Sequence, residues 1–234
     1  MRYTWLGVLV VAWLGAVPAP APAQSTRADV IAIDVLIEPD AALIENARAV
    51  NARLRQNYPE GYALDSAHAP HITLLQRFVR AQDLGRIAAA VRKVADTRDA
   101  LPLKLSATGY VSAVWSGLGV LVYTTDRPPE LLRLADDVVK AVQPFVISGG
   151  TADAFVRAPG ETINPDTIRW VENFVPASSG EQFQPHVTIG TAHPDFVKTL
   201  VKAPFDKFGF HGVNIAIYRL GNFGTAQKKL WSWR

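Results

Sequence analysis

The chain has 234 residues, with 24 Lys and Arg against 21 Asp and Glu, and no cysteine. So small a positive surplus does not argue for a surface that grips duplex nucleic acid, though it leaves a small anionic ligand unrepelled. The lack of cysteine excludes disulfides, thiolate catalysis and cysteine metal ligands together.

The N-terminus reads as an export signal over residues 1–23. Arg2 supplies a basic start, Trp5 to Val17 is an apolar run, and Ala21-Pro22-Ala23 resembles a cleavage site. A spanning helix needs about 20 apolar residues, and this run is shorter and leads into Pro18, Pro20 and Pro22. Cleavage rather than anchoring is therefore expected, with a periplasmic or secreted product and no stable membrane association. Taking 23 from 234 leaves 211 residues, residues 24–234, enough for a single domain or for two small lobes packed together. A monomer is expected.

Val30 to Ile37 is β-branched and reads as a strand. Pro39-Asp40 opens a helix from Ala41 to Tyr58, with Leu43, Ala47, Val50 and Leu54 at steps of three and four. Pro70 to Val79 predicts a second strand, Ala81 to Thr97 an amphipathic helix, and Leu101 to Ala107 a third strand continued by Val111 to Trp115. The order then repeats. Leu118 to Thr125 is a strand, Pro129 to Val142 a helix, Pro185 to Gly190 a strand, Pro194 to Val201 a helix and Gly212 to Leu220 a strand. The halves differ between Gln143 and Gln184, a long segment that reads as a loop with a candidate strand at Thr167 to Val175. Loops beyond about 15 residues usually hold structure of their own or serve a site.

Each half carries the same four-residue signature in its second strand: Pro70-His71-Ile72-Thr73 and Pro185-His186-Val187-Thr188. Side chains two apart on a strand share a face, so His71 and Thr73 emerge together, as do His186 and Thr188. Ile72, Leu74, Val187 and Ile189 then point into a core. An imidazole can move a proton while the neighbouring hydroxyl bonds a phosphoryl oxygen. Two such pairs brought together supply an acid, a base and two oxygen-binding groups.

Other residues carry less. His68 and His71 form an H-x-x-H pair, yet no acidic residue lies within it and a strand turns the two to opposite faces, so no metal and no cofactor is expected. His193 and His211 lack a hydroxyl two residues on. Trp115, Trp170, Phe183, Tyr218 and Phe223 are core or base-stacking aromatics, and Arg77 and Arg219 are surface arginines or phosphate contacts.

The sequences PHITL at 70–74 and PHVTI at 185–189 are similar to the paired His-x-Thr/Ser motifs of the 2H phosphoesterase superfamily. Within it the resemblance is to the bacterial 2'-5' RNA ligase and cyclic nucleotide phosphodiesterase group. It implies an α+β fold of two duplicated lobes, with antiparallel sheets, helices outside and a central cleft between. It also implies metal-independent chemistry on 2',3'-cyclic phosphates or 2'-5' linkages of RNA ends or nucleotides. By carry-over His71 and His186 are catalytic, and Thr73 and Thr188 bind phosphate. Two other readings stay open: a non-catalytic periplasmic module that binds a nucleotide or other phosphate, and a phosphodiesterase for a non-nucleotide substrate.

Overall fold

The computed structural model describes residues 29–234, so the expected export signal lies outside the described residues. Its first strand, β1 (Val30–Pro39), alternates as its sequence asks. Ile31, Ile33, Val35 and Ile37 enter the main core, while Ala32, Asp34, Leu36 and Glu38 occupy the other face. Asp40 then caps α1 (Ala41–Asn57), its carboxylate accepting the Leu43 N–H at 3.3 Å.

There follow β2 (Ile72–Arg80), α2 (Leu84–Arg98), β3 (Leu103–Trp115), β4 (Leu118–Thr125), α3 (Pro129–Val142), α4 (Pro165–Ser178), β5 (His186–Ala192), α5 (Pro194–Lys202), β6 (Phe208–Leu220) and β7 (Ala226–Ser232). All strand pairings are antiparallel, in the order β2-β1-β6-β3-β4-β5, with β7 also on β6. The order is symmetric about its middle. Each signature strand is terminal, followed inward by the first strand of its own half and then by the third strand of the other half. The halves thus exchange a strand, and one core containing Val35, Leu121, Val187 and Ile217 runs through both.

Four elements differ from the sequence expectation. β2 begins at Ile72, so His71 sits on the residue just before the strand. The two pieces expected at 101–115 form the single strand β3, and β7 was not anticipated. Thr167 to Val175 is helix, not strand. TIRWVENFV is rich in β-branched and aromatic residues, but Asn164 accepts the Asp166 N–H at 2.8 Å, Pro165 occupies the first helical position, and Thr167, Val171 and Phe174 are buried at steps of four and three.

The long segment between α3 and β5 is therefore structured, and arginines hold it. Pro176 within α4 has no N–H, so the Glu172 carbonyl one turn earlier lacks its helical donor. Arg77 of β2 supplies one, with Nη1 at 2.8 Å from that oxygen. Arg219 of β6 donates to the Ala154 and Asp153 carbonyls, both at 2.8 Å. Ala154, Phe155, Ile163 and Val171 consequently lie on Ala32, Phe78 and Leu220, covering one end of the β2-β1-β6 inner face. Gly150 is required there, because a Cβ would fall 2.3 Å from the Phe78 ring.

The terminal strands β2 and β5 also approach each other. The buried side chain of Asn51, on α1, ties the two ends of the sheet. Its Nδ2 donates to the Ile189 carbonyl of β5 at 2.9 Å and to the Tyr62 carbonyl at 3.1 Å, and its Oδ1 accepts the Leu64 N–H at 3.3 Å. Tyr62 and Leu64 belong to the segment that delivers His71. Gly190 lets α1 come this close, since a Cβ there would lie 2.7 Å from Asn51 Nδ2. Asn51→Ala should destabilise the fold by about 2–4 kcal/mol, because it strands several buried backbone groups. Urea unfolding of the two proteins measures this.

Candidate active site

The two histidines are held by the same local device. His71 Nδ1 lies 2.7 Å from the Ala69 carbonyl and His186 Nδ1 lies 2.8 Å from the Gln184 carbonyl, in each case two residues back. A carbonyl only accepts, so Nδ1 carries the hydrogen in both rings and Nε2 is left for proton transfer. The prolines at 70 and 185 fit this device. Each biases the residue before it towards extended backbone, and that residue is the one whose carbonyl meets the ring.

The rings share an environment. Burial lowers the His71 pKa below the usual histidine value, although its bond to Ala69 and the charge of Glu38 oppose this. Burial also lowers that of His186, opposed by its bond to Gln184 and reinforced by charge on His71. The two are thus close enough to sense each other across the β2–β5 junction. His71 is the more enclosed, with 15% of its side chain exposed, whereas the His186 ring is open on one side yet surrounded by enough protein to be desolvated.

The threonines differ. Thr73 Oγ1 is bonded to Asp34 Oδ2 at 2.8 Å, and Gln76 Nε2 donates to the same oxygen at 2.8 Å. His71 Nε2 stands 3.6 Å from it. Thr188 is partly exposed, and its hydroxyl has no partner among the described residues. Asp34 is fully buried, and burial pushes its pKa up to about 8 against the opposing bonds from Gln76 and Thr73. Four residues further along the same face, Glu38 accepts from Tyr218 Oη at 2.6 Å, Asn214 Nδ2 at 2.7 Å and Lys229 Nζ at 2.6 Å. Burial raises the Glu38 pKa, but its bonds to Lys229, Tyr218 and Asn214 outweigh this and hold it low.

Asp34 and Glu38 lie outside both Pro-His-x-Thr signatures. Their signal was present, for they are the two acids in an otherwise apolar strand and stand four apart, on one face. Of the residues weighed beside the signatures, Arg77 and Arg219 are committed to carbonyls of the insertion, and Tyr218 to Glu38. Phe183 is core. Trp115 packs edge-on to Trp170 and Phe223 at 6.5 and 6.0 Å, linking the β3–β4 hairpin to α4. His68 pairs with Asp65 and stacks on Tyr62, His193 packs on Tyr58, and His211 meets Asp40 at 3.2 Å.

A family model described as the 2'-5' RNA ligase superfamily matches residues 38–206, a span that contains both signatures. The chain belongs to that superfamily. Its members are 2H phosphoesterases, and a phosphoesterase-type function follows. In fold this superfamily member resembles TT0787 of Thermus thermophilus, at 16% identity and a TM-score of 0.52 over 86% of this chain and 96% of that one. A further solved structure, LigT of E. coli complexed with 3'-AMP, aligns at 13% identity and a TM-score of 0.43 over 87% and 97% of the two chains. No curated protein sequence matches the chain.

The shared environment of the rings is directly measurable. Both should titrate below pH 6.5 in NMR spectra of their Cε1–Hε1 groups, and His71→Gln should raise the pKa of His186, because a neighbouring positive charge is removed.

Proposed function

We propose that this protein cleaves 2',3'-cyclic phosphate or 2'-5' phosphodiester groups of RNA ends or nucleotides by acid–base catalysis between His71 and His186, without a metal. The observation that carries this reading is the matched pair of Nδ1 bonds. Two imidazoles oriented alike, each with Nε2 available, suit a reaction in which one proton is taken and another given at the same phosphorus.

In hydrolysis a neutral imidazole takes a proton from water as its oxygen attacks phosphorus. The other ring, as imidazolium, protonates the departing ribose oxygen as the P–O bond breaks. One P–O bond forms and one breaks, and the protons exchange between the rings through solvent afterwards. The Thr73 and Thr188 hydroxyls would stabilise charge on the non-bridging oxygens. Burial of both rings favours their neutral forms in the free protein, and the negative charge of an incoming phosphodiester favours protonation of one of them. The terminal segment 1–23 extends the reading to an exported enzyme, acting in the periplasm or outside the cell on small nucleotide or RNA-end substrates.

The test is a panel of 2',3'-cyclic nucleotides, 2'-5' dinucleotides and 3',5'-cyclic nucleotides with the purified protein. Turnover of the first two classes and not the third is expected. His71→Ala and His186→Ala should each lower kcat at least about 100-fold, and the double variant should lose little more than either alone. Thr73→Ala and Thr188→Ala should be milder. Near-full activity in either single histidine variant rules out the two-histidine mechanism, and tight nucleotide binding without turnover indicates a binding module.

Two further outcomes are expected of the active protein. The pH profile of kcat/KM should be a bell centred below pH 6.5, because both free-protein ring pKa values are lowered and the productive form carries one proton between them. Activity should also survive exhaustive EDTA. Among the described residues no three His, Asp or Glu side chains cluster as metal ligands, and loss restored by zinc or manganese would show that His71 works with a metal.

A further inference from the structure

Asp34 is a buried acid that the proposed chemistry leaves without a task. It is fully enclosed beneath the Thr73 side of the site. Both of its donors, Thr73 Oγ1 and Gln76 Nε2, converge on Oδ2, while Oδ1 is buried with no hydrogen-bond partner among the described residues. The nearest nitrogen of a basic side chain is His71 Nε2 at 3.6 Å, on a ring whose own burial disfavours its charge. The other charged groups around it are spoken for. Glu38 on β1 holds Lys229 of β7 and the Tyr218 hydroxyl of β6, and the Arg77 and Arg219 guanidiniums hold carbonyls of the insertion. A carboxylate with one bare oxygen and no committed cation is a costly thing to bury, and a neutral acid far less so.

The protonation state of Asp34 decides what Thr73 can do. A hydroxyl has one proton. If Asp34 is a carboxylate, the Thr73 proton is drawn to Oδ2 across 2.8 Å, and only lone pairs are left to face a phosphoryl oxygen, which repels them. If Asp34 is the acid, the bond reverses at the same distance. Its proton is donated to Thr73 Oγ1, Gln76 Nε2 still donates to Oδ2, and the Thr73 proton is free to turn outward.

We propose that Asp34 is a positioning residue, kept as a neutral carboxylic acid, which donates its proton to Thr73 Oγ1 and so makes the Thr73 hydroxyl a donor to the substrate's phosphoryl oxygen. The proposal rests on the phosphoesterase reading above in assigning that oxygen to a substrate. It also accounts for the difference between the two signatures. Among the described residues the Thr188 hydroxyl meets no acid and no other acceptor, so its proton needs no such release. The raised pKa of about 8 agrees with the geometry and sets where the device fails. As pH rises through that value Asp34 ionises, and Thr73 turns from donor to acceptor.

Asp34→Asn is the discriminating variant. An amide copies the neutral acid, with Nδ2 donating to Thr73 Oγ1 and, once Gln76 flips, to its presently unpaired Oε1. With 2',3'-cyclic AMP, whose charge is constant from pH 7 to 9, any rise in KM from histidine deprotonation is common to both proteins, so across that range the wild-type KM should rise about tenfold or more beyond that of the Asn variant. In a Thr73→Ala background, adding Asp34→Asn should change the alkaline limb by no more than about twofold. An Asn variant that folds yet is as impaired at pH 7 as Thr73→Ala overturns the proposal, since the ionised form would then be the working one.

Two readouts need no turnover. The Asp34 carboxyl carbon should titrate above pH 7 in the 13C spectrum of the ligand-free protein. Its pKa is raised on folding, so the folded state holds this proton more tightly and loses stability as pH rises from about 4 to about 8. The melting temperature of the wild type should fall over that window relative to Asp34→Asn. A carboxyl that titrates below pH 5, or parallel melting curves, overturns the proposal whatever the substrate. A carboxyl that titrates high while no cyclic phosphate or 2'-5' linkage is turned over upholds the neutral acid and sinks the substrate reading instead. The Thr73 half is then decided by whether Asp34→Asn preserves inorganic phosphate binding at pH 9.

Discussion

Everything in this molecule that resembles an active site depends on bringing together two strands that the sheet places as far apart as it can. β2 and β5 are the terminal strands of the six-strand order, and five strand intervals of about 4.8 Å would separate them by about 24 Å in a flat sheet. Twist turns the ends towards each other, but twist alone does not lock them. The lock is α1, whose buried Asn51 bonds the β5 backbone with one hand and the segment leading to His71 with the other. The same bond takes up a backbone carbonyl of this terminal strand, Ile189 O.

Two scales of organisation meet at the site. Each ring is oriented locally, by a carbonyl two residues back and a proline between, and this would hold in any fold that accepted the strand. The distance between the rings is global, and it follows from strand exchange between the halves and a core common to both. A local device with a global spacing suits a duplicated architecture. Each half can keep its own orientation rule while the shared core sets the gap.

The halves are equivalent in topology and unequal in environment. The first has an acidic inner face, with Asp34 neutral and enclosed and Glu38 neutralised by Lys229, and the insertion covers its far end. Arg77 ties that insertion down by answering the one helix carbonyl that Pro176 leaves unpaired. In the second half the inner face beside His186 is more open, and Thr188 stands free. A substrate would meet an enclosed wall with preset donors on one side and an accessible histidine on the other.

The sequence by itself determined the order of the elements outside the 143–184 segment and before β7, the α+β class and both Pro-His-x-Thr signatures, because helical and strand periodicity, caps and prolines act within a few residues. The same locality explains its failures. TIRWVENFV carries a strand-like composition and a helix-like spacing, and beyond the local Asn164 cap it is the burial of Thr167, Val171 and Phe174 that selects the helix. Arg77 and Arg219, which read as surface arginines or phosphate contacts, serve the insertion, and the sequence hides this because their targets, at residues 153–154 and 171–172, lie far from them in the chain. Asp34 was visible as a charge in an apolar strand, but its meaning was not. Its protonation depends on what surrounds it, namely a bond from Thr73, a bond from Gln76 and, among the described residues, no Lys or Arg paired with it, and such surroundings exist only when strands distant in sequence have paired.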